Sequence, residues 1–239
     1  MMRKSTMKKP SIKTNLPGPK AKEVLRRDNK YVSPSYTRPY PLVIEKGKGV
    51  WVTDVDGNTF LDFSAGIGVV ASGHSHPVVA KAAKEQLDKF FHMSGADFYY
   101  VNHAKLAEKL AEIVPGAKNK KVLFGNSGTE AVECAMKLAR YHMRRPRYIA
   151  FTGAFHGRTF GALSLTASKS TQRKYFAPLL PGVTHVPYAY CYRCPMHLDY
   201  PSCDLECVKY IDEVVFKKVV PPEEVAAIFV EPIQGEGGY

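Results

Sequence analysis

From Lys121 onward, short apolar runs alternate with a long amphipathic stretch and glycine-rich loops. Lys121–Phe124, Tyr148–Thr152, Val183–Val186 and Ala226–Val230 read as strands, and Thr129–Met143 reads as a helix. Strands separated by helices or by long connections cannot be hairpin partners, because parallel neighbours need a crossover. The pattern predicts an α/β fold with a mostly parallel sheet flanked by helices. In such a sheet, ligands collect beyond the carboxyl ends of the strands.

Upstream, apolar residues Val78, Val79, Ala82, Ala83 and Leu87 recur at helical spacing, predicting a helix from Pro77 to about Phe90. A second helix covers Asn102 to Val114 and is stopped by Pro115-Gly116. Leu42–Glu45, Val50–Asp54 and Thr59–Phe63, with a tight turn at Asp56-Gly57-Asn58, form a small antiparallel meander. The expected organisation is a basic flexible tail (1–30), an arm and meander (31–76), and part of a larger domain (77–239). That last part carries a Cys-rich insertion at 191–207. The sequence ends in a glycine loop just after a strand, so the sheet is expected to be incomplete at that side. A chain of this extent is expected to expose a strand edge and to aggregate in isolation.

The formal charge of +12 suggests nucleic acid at first sight. Ten Lys or Arg fall within residues 1–30 against Glu23 and Asp28, which leaves only +4 for the remaining 209 residues. A solvated basic segment accounts for that distribution, and no nucleic-acid partner is assigned. No apolar run approaches the roughly 20 residues of a membrane span. The basic start lacks the apolar core of a secretory signal, so a cytoplasmic location is expected.

Three loops carry candidate chemistry. The first, Gly125-Asn126-Ser127-Gly128-Thr129-Glu130-Ala131, joins a strand to a helix. A helix start presents unpaired N–H groups and partial positive charge, which suits a phosphate. The Ser127 and Thr129 hydroxyls can donate to phosphate oxygens, though either could equally serve as an N-cap. The second, Gly153-Ala154-Phe155-His156-Gly157-Arg158-Thr159, offers a ring to stack on a flat cofactor and a guanidinium for a carboxylate. The third, Val230-Glu231-Pro232-Ile233-Gln234-Gly235-Glu236-Gly237-Gly238, puts two carboxylates at a strand end. They could act as acids or orient neighbouring cations and amides.

In this order the loops resemble those of the class III aminotransferases, which include 4-aminobutyrate and ornithine aminotransferases. The resemblance runs from about Tyr40 to Tyr239. It also takes in Val50-Trp51-Val52-Thr53-Asp54-Val55-Asp56-Gly57, Asp62-Phe63-Ser64-Ala65-Gly66-Ile67-Gly68 and Gly73-His74-Ser75-His76-Pro77. It implies the pyridoxal-phosphate (PLP)-dependent transferase fold, fold type I, with PLP as cofactor and a homodimer as the full-length form. The implied reaction transfers an amino group from an omega- or alpha-amino acid, of the 4-aminobutyrate kind, to a 2-oxo acid. By the same resemblance Ser127, Gly128 and Thr129 bind the phosphate, Phe155 stacks on the pyridine, and His156 and Glu231 adjoin the cofactor. Arg158 meets a substrate carboxylate, and Glu236 pairs with a later arginine as amino donors change.

The family's cofactor-holding lysine and the aspartate facing the pyridine nitrogen lie downstream of Gly238 in the family pattern. No catalytic residue is therefore assigned, and this chain alone is expected to be inactive. Some archaeal-type relatives racemise amino acids on the same fold, which is the main alternative. A basic zinc-ribbon nucleic-acid-binding protein is the alternative from another class.

Two spacings invite a metal. His74 and His76 sit in a turn before a helix. Cys191, Cys194, Cys203 and Cys207 could supply four thiolates to zinc, or remain thiols, or form disulfides. No metal is assigned from sequence. Cys134 is read as a small core residue.

Overall fold

The structure is a computed structural model that describes residues 9–238. Residues 1–8 of the basic tail, and Tyr239, lie outside the described residues. The chain divides into two compact units, residues 1–99 and 100–239, each described here by itself.

In the first unit, helix α1 (Pro19–Tyr31) precedes strands β1 (Ile44–Lys48), β2 (Trp51–Asp54) and β3 (Thr59–Leu61). The strands form an antiparallel meander in the order β1-β2-β3, with Lys48 opposite Trp51 and Val52 opposite Phe60. A one-turn element α2 (Ala65–Gly68) follows, with Gly66 and Ile67 in left-handed conformation, and then helix α3 (Pro77–Leu87).

Helix α1 corrects the reading of residues 1–30 as a flexible tail. Its stabilisers come from the β2–β3 turn. Asp54 and Asn58 are buried, and the Asp54 carboxylate accepts from the amides of Asp56 (3.0 Å) and Asn58 (2.7 Å) and from the Asn58 side chain (2.7 Å). The turn so braced points two acceptors outward. Asn58 Oδ1 accepts from the amides of Lys13 (2.6 Å) and Thr14 (3.1 Å). Asp56 caps α1, accepting from the amides of Lys20 and Ala21, both at 2.9 Å. A carboxylate at a helix start satisfies orphan N–H groups and opposes the helix dipole. Ser11 pairs backbone-to-backbone with Thr59, so the segment before α1 is tied to the sheet too.

His74 also has a structural partner. Its Nε2 lies 2.7 Å from Asp62 Oδ2, and its backbone pairs with Gly49. The His74 contact, with hydrogen bonds from Ser64, holds the Asp62 carboxyl down at about 2.

The second unit begins with α4 (Val101–Ile113), followed by α5 (Gly128–Met143), β4 (Arg147–Phe151), α6 (Phe160–Leu165) and α7 (Ser170–Arg173). Then come β5 (Val183–Val186), α8 (Glu206–Tyr210), a π-turn (Ile211–Val215), α9 (Phe216–Lys218) and β6 (Val225–Ile228). The three strands form a parallel sheet in the order β5-β4-β6, with Tyr148 opposite Val183 and Ala227.

Central strand β4 shows why the unit holds together. Alternate residues point to opposite faces, and both faces are covered. Tyr148 and Ala150 pack with Met136 of α5 and Leu165 of α6. Ile149 packs with Val186, Val215, Val220 and Val225, joined by Phe151 and Phe216. A strand buried on both sides needs a continuous apolar run, which Tyr148-Ile149-Ala150 supplies. The buried Tyr148 hydroxyl donates to the Met136 carbonyl at 2.5 Å, and burial raises its pKa.

Lys121–Phe124 is not a strand. It has no ladder partner among the described residues, and Phe124 instead packs its ring against His103 of α4, with centroids 4.4 Å apart. A short apolar run cannot make a strand without a neighbour to complete its backbone hydrogen bonds. Among the described residues, no helix is long and apolar enough to cross a membrane.

One prediction tests the link between the turn and α1. Asp56→Ala removes both acceptors at the helix start and is expected to lower stability by about 1–2 kcal/mol. Urea unfolding followed by circular dichroism would measure this, and an unchanged midpoint would contradict the capping role.

Candidate active site

All eight residues singled out from sequence lie in the second unit, on the loop before α5 and on the loops that follow β4 and β6. Parallel strands end at the same edge, so these last two loops are neighbours by construction.

Ser127 caps α5. Its hydroxyl accepts from the Glu130 amide at 3.3 Å, while Glu130 reaches back to accept from the Asn126 amide at 2.5 Å. These two caps leave the amides of Gly128 and Thr129 to open the helix. A Cβ built on Gly128 would meet no atom within 4 Å, so there is open space beside the helix start. The arrangement suits an anion.

Thr129 differs from the expectation that its hydroxyl donates to phosphate. It lies 2.8 Å from Thr159 Oγ1, and Thr159 donates to Glu133 at 2.5 Å. Since Thr159 gives its proton to the carboxylate, it must accept from Thr129. The Thr129 proton is thereby used inside the protein, and a phosphate contact by this residue would fall to its backbone amide. Glu133 also accepts from the Ala162 amide at 3.0 Å.

Gly157 brings the second loop against the first. Its φ of +128° is glycine territory, and a Cβ there would stand 2.3 Å from Thr129 Oγ1. The loop carrying Phe155 therefore lies directly against the start of α5.

Glu231 joins the second loop to the third. One carboxylate oxygen accepts from the Phe155 amide at 3.1 Å, and the other from the Gly235 amide at 3.4 Å. Its backbone carbonyl accepts from the Tyr188 hydroxyl at 2.9 Å. Gln234 donates to the Thr152 carbonyl at 3.1 Å, a second tie between the same loops.

His156 is held by its backbone, whose amide donates to Thr166 Oγ1 at 2.9 Å. Its Nε2 is buried without a hydrogen-bond partner among the described residues. Burial lowers its pKa, opposed by the Glu231 charge. Burial also lowers that of His185, which stands 3.2 Å from the Leu165 carbonyl. Arg158 is exposed and makes no ion pair among the described residues. Glu236 pairs with Lys169 at 2.6 Å.

Sequence reasoning missed the roles of Thr159, Gln234, Glu133, Tyr188 and Lys169. Thr159 stood within the second motif and Gln234 within the third; the other three carry no local signal.

The model of the family described as "Aminotransferase class-III" matches residues 31–239. An alanine/serine racemase from Pyrococcus horikoshii is 40% identical over 237 residues, 97% of this chain and 50% of that protein. A probable 4-aminobutyrate aminotransferase from Bacillus subtilis is 37% identical over 90% of this chain and 49% of its own length. The ornithine aminotransferase of Toxoplasma gondii, whose structure shows partial occupancy of PLP at its active site, superposes with a TM-score of 0.73. The two chains are 30% identical, over 91% of this one and 46% of that one. The chain thus spans about half the length of these relatives.

The two half-buried histidines, His156 and His185, make a pH prediction. Their folded pKa values lie below the ordinary 6.5, so the unfolded chain binds the extra protons. Stability is therefore fully present above about 6.5 and falls as pH drops through that value. The thermal midpoint is expected to decline between pH 7.5 and 5.5, and less so in His185→Asn. A midpoint that stays level or rises on acidification would contradict this.

Proposed function

Because the chain belongs to the class III aminotransferase family, we propose that it forms the phosphate- and ring-binding part of a PLP-dependent transaminase. The reaction is transfer of an amino group from an omega- or alpha-amino acid, of the 4-aminobutyrate kind, to a 2-oxo acid. The supporting observation is the approach of Gly157 to Thr129, which sets the Phe155 loop beside the start of α5.

The residues present fit the cofactor on chemical grounds. The Gly128 and Thr129 amides offer donors and the positive end of a 16-residue helix to the phosphate. The space beside Gly128 admits close approach. Phe155 provides a flat ring for the pyridine, and Glu231 fixes the backbone of that residue. His156, on the same loop, keeps a buried ring nitrogen, and burial lowers its pKa. Bound PLP supplies the electron sink that makes the substrate's alpha proton acidic. Arg158 is assigned to a substrate carboxylate. Glu236 is assigned to the exchange between amino donors, for which it would have to leave Lys169. The lysine that moves the proton, and the aspartate facing the ring nitrogen, follow Gly238 in the family pattern. A cytoplasmic homodimer is the setting this reading carries.

Racemisation is the second reading, favoured by the 40% identity to the Pyrococcus horikoshii racemase. Incubating the full-length protein with an L-amino acid, with and without 2-oxoglutarate, separates the two. Glutamate formed only with the acceptor supports transamination. Loss of optical rotation without acceptor, and no glutamate with it, would replace that reading with racemisation.

The phosphate assignment has its own test. Gly128→Asp fits the open space and suits a first helical turn, so folding stability is expected to stay within about 1 kcal/mol of wild type. The new carboxylate would repel phosphate, and PLP affinity, read by absorbance titration of the full-length protein, is expected to fall at least about tenfold. Unchanged affinity would contradict the assignment.

A further inference from the structure

The cysteine-rich segment lies outside the chemistry just described, yet the fold places its four thiol residues along one cavity. Cys191, Cys194, Cys203 and Cys207 all line a single cavity of about 30 Å³, together with Tyr188 and Glu206. That volume holds one or two water-sized bodies and excludes an organic ligand.

Each cysteine pair is carried on a tight turn. A 3₁₀ turn, Cys191–Arg193, separates the first pair, and the Arg193 amide donates to the Tyr190 carbonyl. In the second pair, the Glu206 amide donates to the Cys203 carbonyl at 3.1 Å, and Cys207 falls in the opening turn of α8. Left-handed backbone at His197, Asp204 and Leu205 folds the connecting segment back on itself. Non-glycine residues occupy that region at a cost in energy, which something in the segment must offset. All four cysteines are free thiols, and three of them are partly buried.

We propose that Cys191, Cys194, Cys203 and Cys207 bind one zinc ion through four thiolates, as a structural clasp on this segment. Two pairs at short spacing, lining one ion-sized space, match the donor set of a closed tetrahedral zinc site, and thiolate selects zinc over harder cations. Among the described residues, no three His, Cys, Asp or Glu side chains already stand as a ligand set. Binding therefore draws the sulfurs together by side-chain rotation as the ion enters. Zinc exchanges its waters for four sulfurs, each thiol gives one proton to solvent, and no electron moves. The bound unit carries a charge of −2.

The clasp has a consequence at the active site. The segment starts just after Tyr188, which also lines the cavity and whose hydroxyl holds the Glu231 carbonyl. Zinc would anchor Tyr188, and through it the loop that fixes Phe155.

The test is metal and thiol analysis of the full-length protein, purified without chelator and again after dialysis against it. About one zinc per chain is expected, with four of these thiols slow to react with a thiol reagent until zinc is removed. Cobalt(II) exchanged into the site should give the intense visible bands of tetrahedral thiolate coordination. Cys191→Ser with Cys194→Ser should lose the metal, while the wild-type measurements stand even if that variant fails to fold. Zinc below about 0.1 per chain after growth and refolding with added zinc would overturn the proposal. So would a mass lower by the hydrogens of disulfides among these four cysteines.

Discussion

The carboxylate of Glu231 couples two loops that no strand pairing would otherwise hold together. One oxygen takes the Phe155 amide after β4 and the other takes the Gly235 amide after β6. A carboxylate can do this because, once ionised, it is acceptor-only on both oxygens, with room for several donors. Replacing it with an apolar side chain would leave two partly buried N–H groups without this acceptor. The Tyr188 hydroxyl on its backbone carbonyl anchors the same residue from the end of β5. All three strands of the parallel sheet thus send a contact to one residue.

The sheet makes that convergence possible. β4 is covered on both faces, by α5 and α6 on one side and by the 211–220 segment on the other, so its end is a fixed point. The loop leaving it must turn sharply, which Gly153 and Gly157 allow with φ of +84° and +128°. At Gly157 even a methyl group would displace Thr129. A glycine here is required by close approach as well as by backbone conformation. Thr129, Thr159 and Glu133 then lock the loop to the helix by hydroxyl and carboxylate contacts.

Much of this was legible in the sequence, and the parts that were not share a cause. The spans of α3, α4, α5, β4 and β5 follow from local periodicity, and the structure places them within a residue or two apart from the end of α3. The candidate residues could be named because each motif is local. Helix α1 was missed because its cap, Asp56, lies 35 or 36 residues downstream of the amides it satisfies. Lys121–Phe124 was read as a strand because a short apolar run is visible in sequence and a missing partner is not. The turn of the Thr129 proton toward Thr159, 30 residues away, and the Lys169–Glu236 pair likewise rest on contacts that no short window contains.

A crystal structure of the full-length protein grown with PLP tests the central claim most directly. The phosphate should lie about 3 Å from the Gly128 and Thr129 amides, with the Phe155 ring on one face of the pyridine. A phosphate bound away from the start of α5, or a pyridine out of reach of Phe155, would contradict the account.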